Sequence, residues 1–143
     1  VRTRTDNVDR LVRAGFELLM SAHRLECGKC PANKNCALQE AAKKRKLPLK
    51  PKRFPKVEPE WPVDDSHPEY VLDPNRCVLC GKCVHVSNEI LGARLLDFKQ
   101  RGLKTYVGTF NDRPLAELEL KDFDKCVEAC PVGALARKKP AEA

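Results

Sequence analysis

Closely spaced cysteines are the residues of this sequence whose chemistry stands out. Eight occur in 143 residues, and six of them form the groups Cys27-x2-Cys30-x5-Cys36 and Cys77-x2-Cys80-x2-Cys83. Thiols this close together cannot join distant segments as disulfides, and the first residues contain no signal-peptide apolar core. The spacing therefore predicts metal-binding thiolates in a reducing compartment, which we expect to be the cytoplasm.

A histidine completes the first group. The recurrence of apolar residues predicts one amphipathic helix over residues 6–26, with Asp6 as its N-cap, so that His23 and Cys27 lie one turn apart on the same face. The loop that follows would bring two further cysteines to the same centre. A lone helical histidine is ordinarily a hydrogen-bonded polar residue, but the cysteines that follow favour a ligand set of His23, Cys27, Cys30 and Cys36. Zinc is one ion that such a set could bind.

The second group opens a bacterial ferredoxin motif. In such a motif three regularly spaced cysteines are followed by a fourth that precedes proline, and in two-cluster ferredoxins this fourth cysteine binds the other cluster. Cys130-Pro131 supplies such an ending far downstream. Applied to this chain, the crossover rule predicts one complete 4Fe-4S ligand set, made of Cys77, Cys80, Cys83 and Cys130.

The ligand positions of a second ferredoxin cluster have been lost. Counting along both motifs finds, where four cysteines would stand, Ser87, Leu120, Phe123 and Cys126. We expect the two apolar side chains to fill the vacated space and Cys126 to be a small buried residue. The remaining histidines have no cysteines at ligand spacing, and we interpret His67 as a linker residue and His85 as a helix-face residue.

The chain is basic, with 27 lysines and arginines against 20 acidic residues and a net charge of +7. The excess is concentrated at Lys43–Lys46, Lys50, Lys52, Arg53 and Arg137–Lys139. A basic segment beside two zinc sites would suit a nucleic-acid adaptor, which is the alternative function. Iron-sulfur clusters on thiolates are themselves anionic, so they would offset part of this charge.

The remaining elements are short. Residues 37–46 are strong helix formers, whereas the six prolines between 48 and 68 exclude a helix or a central strand. The extended linker is either a docking strap for partner subunits or a solvated spacer. We then predict a strand at 70–72, a helix at 83–91, a hairpin at 94–110, a helix at 124–130 and an apolar turn at 132–135. The predicted fold class is α+β, with a small helical domain at 1–47, a proline-rich basic linker at 48–68 and a ferredoxin-like domain at 69–143.

Two stretches of the sequence resemble a known family of iron-sulfur subunits. The segment from His23 to Cys36, continued by the run CALQ at 36–39, resembles the His(Cys)3 4Fe-4S module of the large iron-sulfur subunit in the peripheral arm of respiratory complex I. The runs DSHPEYVLDPNRCVLCGKC at 65–83 and CPVGAL at 130–135 resemble the small iron-sulfur subunit of the diaphorase module in NAD-reducing nickel-iron hydrogenases. Related subunits occur in NAD-dependent formate dehydrogenases.

The resemblance implies two 4Fe-4S clusters, one bound by one histidine and three cysteines and the other by four cysteines. It also implies a helical His(Cys)3 cluster domain followed by a degenerate ferredoxin-like domain with a single cluster. The family normally has an N-terminal 2Fe-2S domain with four cysteines, and none precedes Val1. We therefore expect that domain to be trimmed or to be a separate chain.

The implied function is electron transfer within an NAD(P)-linked oxidoreductase complex. The sequence contains no GxGxxG or P-loop motif, no candidate nucleophile and no candidate general base, so we predict no catalytic residue here. A partner subunit would bind the flavin and the nicotinamide, and a terminal catalytic subunit of hydrogenase or formate dehydrogenase type would be a second partner. In this function the protein binds no nucleic acid, and no apolar run is long enough to span a membrane.

Overall fold

The computed structural model describes residues 2–57 and 60–138. Residue 1, residues 58 and 59 of the predicted linker and residues 139–143 of the predicted second domain lie outside the described part of the chain. Lys139 of the basic tail is among them.

The first helix, α1, runs over Asp6–Ala22, and its N-cap is Thr5 rather than the predicted Asp6. The Thr5 hydroxyl accepts a hydrogen bond from the backbone N–H of Val8 at 3.3 Å, as an N-cap side chain does. Met20, near the end of the helix, is fully buried. The apolar face of α1 is thereby fixed against the rest of the protein.

The prediction that this helix continues to residue 26 is wrong. His23 has extended backbone (φ −91°, ψ 131°) and caps the helix. In a longer helix the N–H of Arg24 would donate to the Met20 carbonyl, but it donates instead to the carbonyl of Asn75 at 3.0 Å. Lys56 from the linker donates to the Met20 carbonyl at 3.1 Å. Hydrogen bonds to distant segments therefore end the helix, and His23 and Cys27 do not share a helix face.

The second helix, α2, spans Ala37–Arg45 and ends one residue before the predicted limit. Lys46 follows it in the left-handed conformation (φ 53°) that commonly ends helices. Leu38 and Ala42 are buried four residues apart on one face. Between the two helices, Cys27–Lys29 form a short 3₁₀ turn.

The second half of the chain is built from short elements around two small antiparallel sheets. They are β1 (Tyr70–Leu72), α3 (Lys82–His85, continued by a π-helical turn at Val86–Ile90), β2 (Leu96–Lys99), β3 (Tyr106–Thr109), α4 (Asp124–Ala129) and β4 (Leu135–Arg137). Strand β1 pairs with β4, with Val71 opposite Ala136, and β2 forms a hairpin with β3. The fold is α+β, as predicted.

The predicted strand, hairpin and two helices of this half are confirmed within a few residues. Strand β4 is a structural feature that the sequence interpretation missed, since it treated residues 132–135 as a turn. Only three residues form this strand, too few for an alternating pattern to show. Pairing with β1 at the other end of the ferredoxin-like unit creates it.

Apolar side chains from both halves of the chain pack in two adjoining clusters. The larger one lies inside the second half and includes Tyr70, Leu72, Leu95, Leu96, Val107, Leu115, Phe123, Cys126 and Leu135. The smaller one joins Met20 of α1 and Leu38 of α2 to Val132 and Ala134, which precede β4. The helical unit and the ferredoxin-like unit therefore share an apolar interface, and the domain limits at 47 and 68 stay predictions.

The proline-rich linker contains no helix or strand among its described residues, as predicted, yet it is packed against both units. Trp61 and Asn75 exchange two hydrogen bonds, from the Trp61 N–H to Asn75 Oδ1 (2.8 Å) and from Asn75 Nδ2 to the Trp61 carbonyl (2.9 Å). The Trp61 ring stacks on Tyr106 with centroids 4.7 Å apart. Asp64 accepts a hydrogen bond from the N–H of Leu115 at 2.8 Å. The described part of the linker is thus packed on the surface of the protein and is not a solvated spacer, and its docking of partner subunits stays a prediction.

Asn75 offers a direct test of this packing. Asn75→Ala removes the side-chain amide that forms hydrogen bonds with the N–H and the carbonyl of Trp61. Residue 75 is only 2% exposed, so water cannot easily replace these bonds. We expect a loss of about 2 to 4 kcal/mol in the free energy of unfolding, because buried partners are left without hydrogen bonds. Denaturant unfolding of the purified protein under anaerobic conditions measures it. Asn7→Ala, at an exposed position in the first turn of α1, is the matched control, and equal stability of the two variants would contradict the account.

Candidate metal centres

The four residues predicted for the first site line one cavity. His23, Cys27, Cys30 and Cys36 surround a small cavity of about 20 Å³ together with Asn33, Gln39 and Gly133. Each comes from a different local element, namely the end of α1, the 3₁₀ turn, the loop after it and the N-cap of α2. His23 is buried, and the three cysteines are partly buried. The four residues meet around one cavity even though the helical geometry first expected for His23 and Cys27 is absent.

The loop between Cys30 and Cys36 is held by the side-chain amide of Gln39. Its Oε1 accepts a hydrogen bond from the Lys34 N–H at 3.0 Å, and its Nε2 donates to Asn33 Oδ1 at 3.0 Å. Lys34 has a left-handed backbone (φ 69°), so the loop reverses at this point. Sequence reasoning missed this positioning role, although Gln39 closes the CALQ run that carries the family resemblance.

Gly133 comes close to the first site from the other half of the chain. A Cβ atom placed on this residue would lie 2.4 Å from the Sγ of Cys30 and 3.1 Å from the Cδ of Pro31. No side chain fits at that distance, so glycine is required for the backbone to approach the ligand loop. The two halves of the protein therefore meet at a predicted ligand.

The four residues predicted for the second site line another small cavity, also of about 20 Å³. Cys77, Cys80, Cys83 and Cys130 surround it together with Gly81, Pro131 and Val132. The pairing of Cys130 with three cysteines some fifty residues earlier is the arrangement that the crossover rule predicts. The Cys80 side chain is exposed, whereas Cys83 is buried. One edge of this cavity therefore lies near the protein surface.

The loop between Cys77 and Cys83 has a specialised backbone. Leu79 (φ 54°) and Gly81 (φ 74°) are both left-handed, and the N–H of Leu79 donates to the Sγ of Cys77 at 3.3 Å. A Cβ on Gly81 would be strained at this φ and would lie 3.3 Å from the Phe98 ring. Backbone N–H groups directed at ligand sulfurs are a common feature of iron-sulfur sites.

Burial controls the protonation of these thiols. Together with the smaller effect of the neighbouring cysteines, it raises the pKa of Cys77 to about 11 and that of Cys83 to about 12. In metal-free protein both groups are neutral thiols at pH 7. Metals and clusters bind the thiolate, so occupation of the site releases protons and must supply positive charge that offsets the cost of desolvation.

The positions of the lost cluster are part of the core. Ser87 is fully buried, and its hydroxyl oxygen accepts hydrogen bonds from the N–H groups of Leu95 (2.7 Å) and Leu96 (3.1 Å). Phe123 and Cys126 are fully buried, which confirms the expectation for Cys126, and Leu120 packs against the same cluster. Ser87 thus holds the backbone at the start of strand β2. A complete ferredoxin motif would have a metal-binding cysteine at this position. Burial raises the pKa of the Cys126 thiol to about 11.

The other two histidines lie outside both cavities. His67 accepts a hydrogen bond at Nδ1 from the N–H of Glu69 at 3.1 Å, and its ring stacks on Tyr70 at 5.0 Å. His85 is exposed on α3. Both agree with the predicted linker and helix-face roles.

The donor sets fit iron-sulfur clusters. Within residues 2–57 and 60–138, no three side chains of His, Cys, Asp or Glu converge as ligands of a single metal ion. Each predicted set instead surrounds a cavity, and Gly81 and Gly133 let the backbone come close to it. Together the two sets offer seven thiols and one imidazole, which are ligand types that bind cluster iron. Nearby backbone N–H groups can donate hydrogen bonds to the sulfurs.

One backbone segment separates the two cavities. Val132 lines both of them, Cys130 and Pro131 line the second, and Gly133 lines the first. The Pro131 carbonyl accepts a hydrogen bond from the N–H of Ala37, the first residue of α2, at 2.9 Å. We call residues 130–133 the shared wall.

Comparison with known proteins identifies the family. Residues 13–47 match the family model of the NADH-ubiquinone oxidoreductase-G iron-sulfur binding region, and residues 68–136 match that of the NADH-quinone oxidoreductase subunit 3 ferredoxin-like domain. Together the two matches cover more than half of the chain. The chain belongs to the iron-sulfur proteins of the NADH dehydrogenase and diaphorase type.

Individual relatives agree with this assignment. The chain is 34% identical over 144 residues to the NADPH-Fe(3+) oxidoreductase subunit alpha of Geobacter sulfurreducens. The aligned region covers 96% of this chain and 16% of that protein. The chain is 32% identical to an NADH-quinone oxidoreductase subunit of Mycobacterium tuberculosis, over 94% of this chain and 16% of that protein. The chain thus spans about one sixth of the length of these curated relatives.

A solved structure shows the same fold. The chain superimposes on a chain from the crystal structure of an NAD+-reducing nickel-iron hydrogenase in the H2-reduced state, with a TM-score of 0.85 and 29% sequence identity. The match covers 98% of this chain and 59% of that one. None of the helices described for this protein is long and apolar enough to cross a membrane.

Substitution of single cysteines tests the crossover. Cys130→Ser and Cys77→Ser should each remove the same cluster, since both residues line the second cavity, and should halve the iron content. Cys126→Ala, at a buried position outside that cavity, should keep all the iron. Iron and acid-labile sulfide analysis of the three proteins measures the effect. Full iron content in Cys130→Ser, or loss of iron in Cys126→Ala, would refute the assignment.

Gln39→Ala tests the loop clamp of the first site. Loss of its two hydrogen bonds should cost about 1 kcal/mol of loop stability, which corresponds to roughly fivefold faster iron loss from the first site. The rate of iron transfer to a chelator measures it. Glu40→Ala removes only the exposed ion pair with Lys44 and is the control. Equal rates in the two variants would show that Gln39 does not hold the loop.

Proposed function

We propose that this chain is an electron-relay domain of an NAD(P)-linked oxidoreductase complex and binds two 4Fe-4S clusters. The first cluster would be held by His23, Cys27, Cys30 and Cys36, and the second by Cys77, Cys80, Cys83 and Cys130. A 4Fe-4S cluster takes up and releases one electron with little change of geometry. The observation that carries the proposal is that each ligand set lines its own cavity and that one residue, Val132, lines both.

The residues around the cavities suit this role because they hold two sites rigidly and close together. The Pro131 carbonyl bonds to α2, and Gly133 packs on Cys30, so the shared wall cannot move without disturbing both sites. The exposed Cys80, beside the exposed Leu79, supplies an edge of the second site through which electrons can reach a partner. A rigid relay with one surface edge is what electron transfer between proteins requires.

The ligand types also predict which of the two clusters has the higher reduction potential. The neutral imidazole of His23 in place of a thiolate lowers the negative charge at the first site, which favours reduction there, as histidine ligands do in Rieske centres. From this effect alone, the cluster of the all-thiolate second site should have the lower reduction potential. The direction of electron flow would follow from the partners.

The proposed partners are a flavin- and nicotinamide-binding subunit and a terminal catalytic subunit of hydrogenase or formate dehydrogenase type. The support is the nature of the relatives, which include an iron hydrogenase of Clostridium pasteurianum (26% identical) besides the quinone oxidoreductases. A 2Fe-2S domain, separate or upstream, and a cytoplasmic location remain part of the proposal. The alternative of a zinc-binding nucleic-acid adaptor has no support among the matches.

His23 provides the experiment. Anaerobically purified protein should be brown and contain equal amounts of iron and acid-labile sulfide, sufficient for two clusters per chain, whereas two zinc ions and no sulfide would refute the proposal. His23→Cys should keep the cluster and lower its reduction potential, because a charged thiolate replaces a neutral ring. His23→Ala should make that cluster labile. Redox titration followed by electron paramagnetic resonance (EPR) measures both, and unchanged potentials with full iron in both variants would remove His23 from the ligand set.

A further inference from the structure

The C-terminal end of α1 receives its positive charge from the linker. The last turn of α1 contains no basic residue, although carbonyl groups and the negative end of the helix dipole are left there. The Lys56 ammonium donates hydrogen bonds to the carbonyls of Met20 (3.1 Å) and His23 (3.0 Å). The N–H of Val57 donates to the carbonyl of Ser21 at 2.9 Å. Residues 56 and 57 therefore close this helix end from a segment more than thirty residues away.

This helix end lies beside the first site. His23 and Arg24, which follow α1, both line the first cavity. The guanidinium of Arg24 lies 3.8 Å from the carboxylate of Asp73, and this carboxylate also pairs with Arg76 at 3.2 Å. Lys56 is bonded to the backbone of His23 itself. Two hydrogen bonds hold its ammonium in place, although a lysine on an exposed segment would otherwise sample many positions.

We propose that Lys56 is a positioning residue of the first centre and raises its reduction potential. The inference rests on the proposed function, since it presupposes a cluster bound by His23. Reduction adds a negative charge at that centre, and a fixed cation beside the ligand backbone stabilises the more negative reduced state more than the oxidised one. The same cation also opposes the negative end of α1, which would otherwise disfavour reduction.

Substitutions that separate charge from hydrogen bonding test the proposal. Lys56→Gln keeps a donor for the carbonyls but loses the charge, and Lys56→Arg keeps the charge. Lys52→Gln removes an exposed lysine from the same linker and is the control. The readout is the midpoint potential of the first centre in an EPR-monitored titration of the whole protein. The first centre is assigned by the signal that disappears in Cys30→Ser.

Lys56→Gln should lower the potential of the first centre and leave that of the second unchanged. Lys56→Arg and Lys52→Gln should titrate like the parent protein. An unchanged potential in Lys56→Gln with full iron content would overturn the inference, as would an equal lowering in Lys52→Gln. Loss of the first cluster in Lys56→Gln would also overturn it, because the lysine would then act only as a structural cap. Absence of clusters from the parent protein would instead refute the proposed function.

Discussion

The structure depends on one close contact, that of Gly133 with the Cys30 side chain. A Cβ atom at residue 133 would lie 2.4 Å from the Sγ of Cys30, so only glycine permits the backbone to come this close to the loop. Because Gly133 follows Cys130 by three residues, the contact also fixes the proposed ligand that completes the second set. The adjoining backbone continues the constraint, since the carbonyl of Ala134 accepts a hydrogen bond from the N–H of Asp73 at 2.7 Å. Both sites are therefore positioned by the same short segment.

The linker keeps the two halves in this relation. It closes the end of α1 through Lys56, is bonded to Asn75 through Trp61, and reaches the second half again through Asp64. The carbonyl of Asn75 also accepts a hydrogen bond from the N–H of Arg24, next to the proposed ligand His23. A segment that would be costly to order by itself is thus fixed by many small contacts, and it limits relative motion of the sites. Such rigidity suits electron transfer, where little reorganisation is wanted.

Spacing in the sequence was sufficient to predict which residues would meet. The crossover rule placed Cys130 with Cys77 although they are far apart in the chain, and both line one cavity. The hairpin and the short helix before Pro131 also followed from local turn and helix signals. These features depend on neighbouring residues or on a fixed motif, so a single sequence contains the information.

The features that were missed arise from contacts between distant segments. Helix α1 ends early because Asn75 and Lys56 take the backbone groups of its next turn. Strand β4 exists only through its pairing with β1, and no local pattern marks it. The hydrogen bonds of Gln39 and the packing of the linker likewise depend on the folded arrangement. Periodicity and propensity describe local preferences, and here tertiary hydrogen bonds override them.

The central claim is that two clusters lie on either side of the shared wall. EPR spectroscopy of the fully reduced protein tests it most directly, because two paramagnetic centres so close together interact magnetically. The account predicts a split spectrum that collapses to a single simple signal in Cys130→Ser, where only the first centre remains. A spectrum of the fully reduced protein that equals the sum of two independent signals would contradict the account.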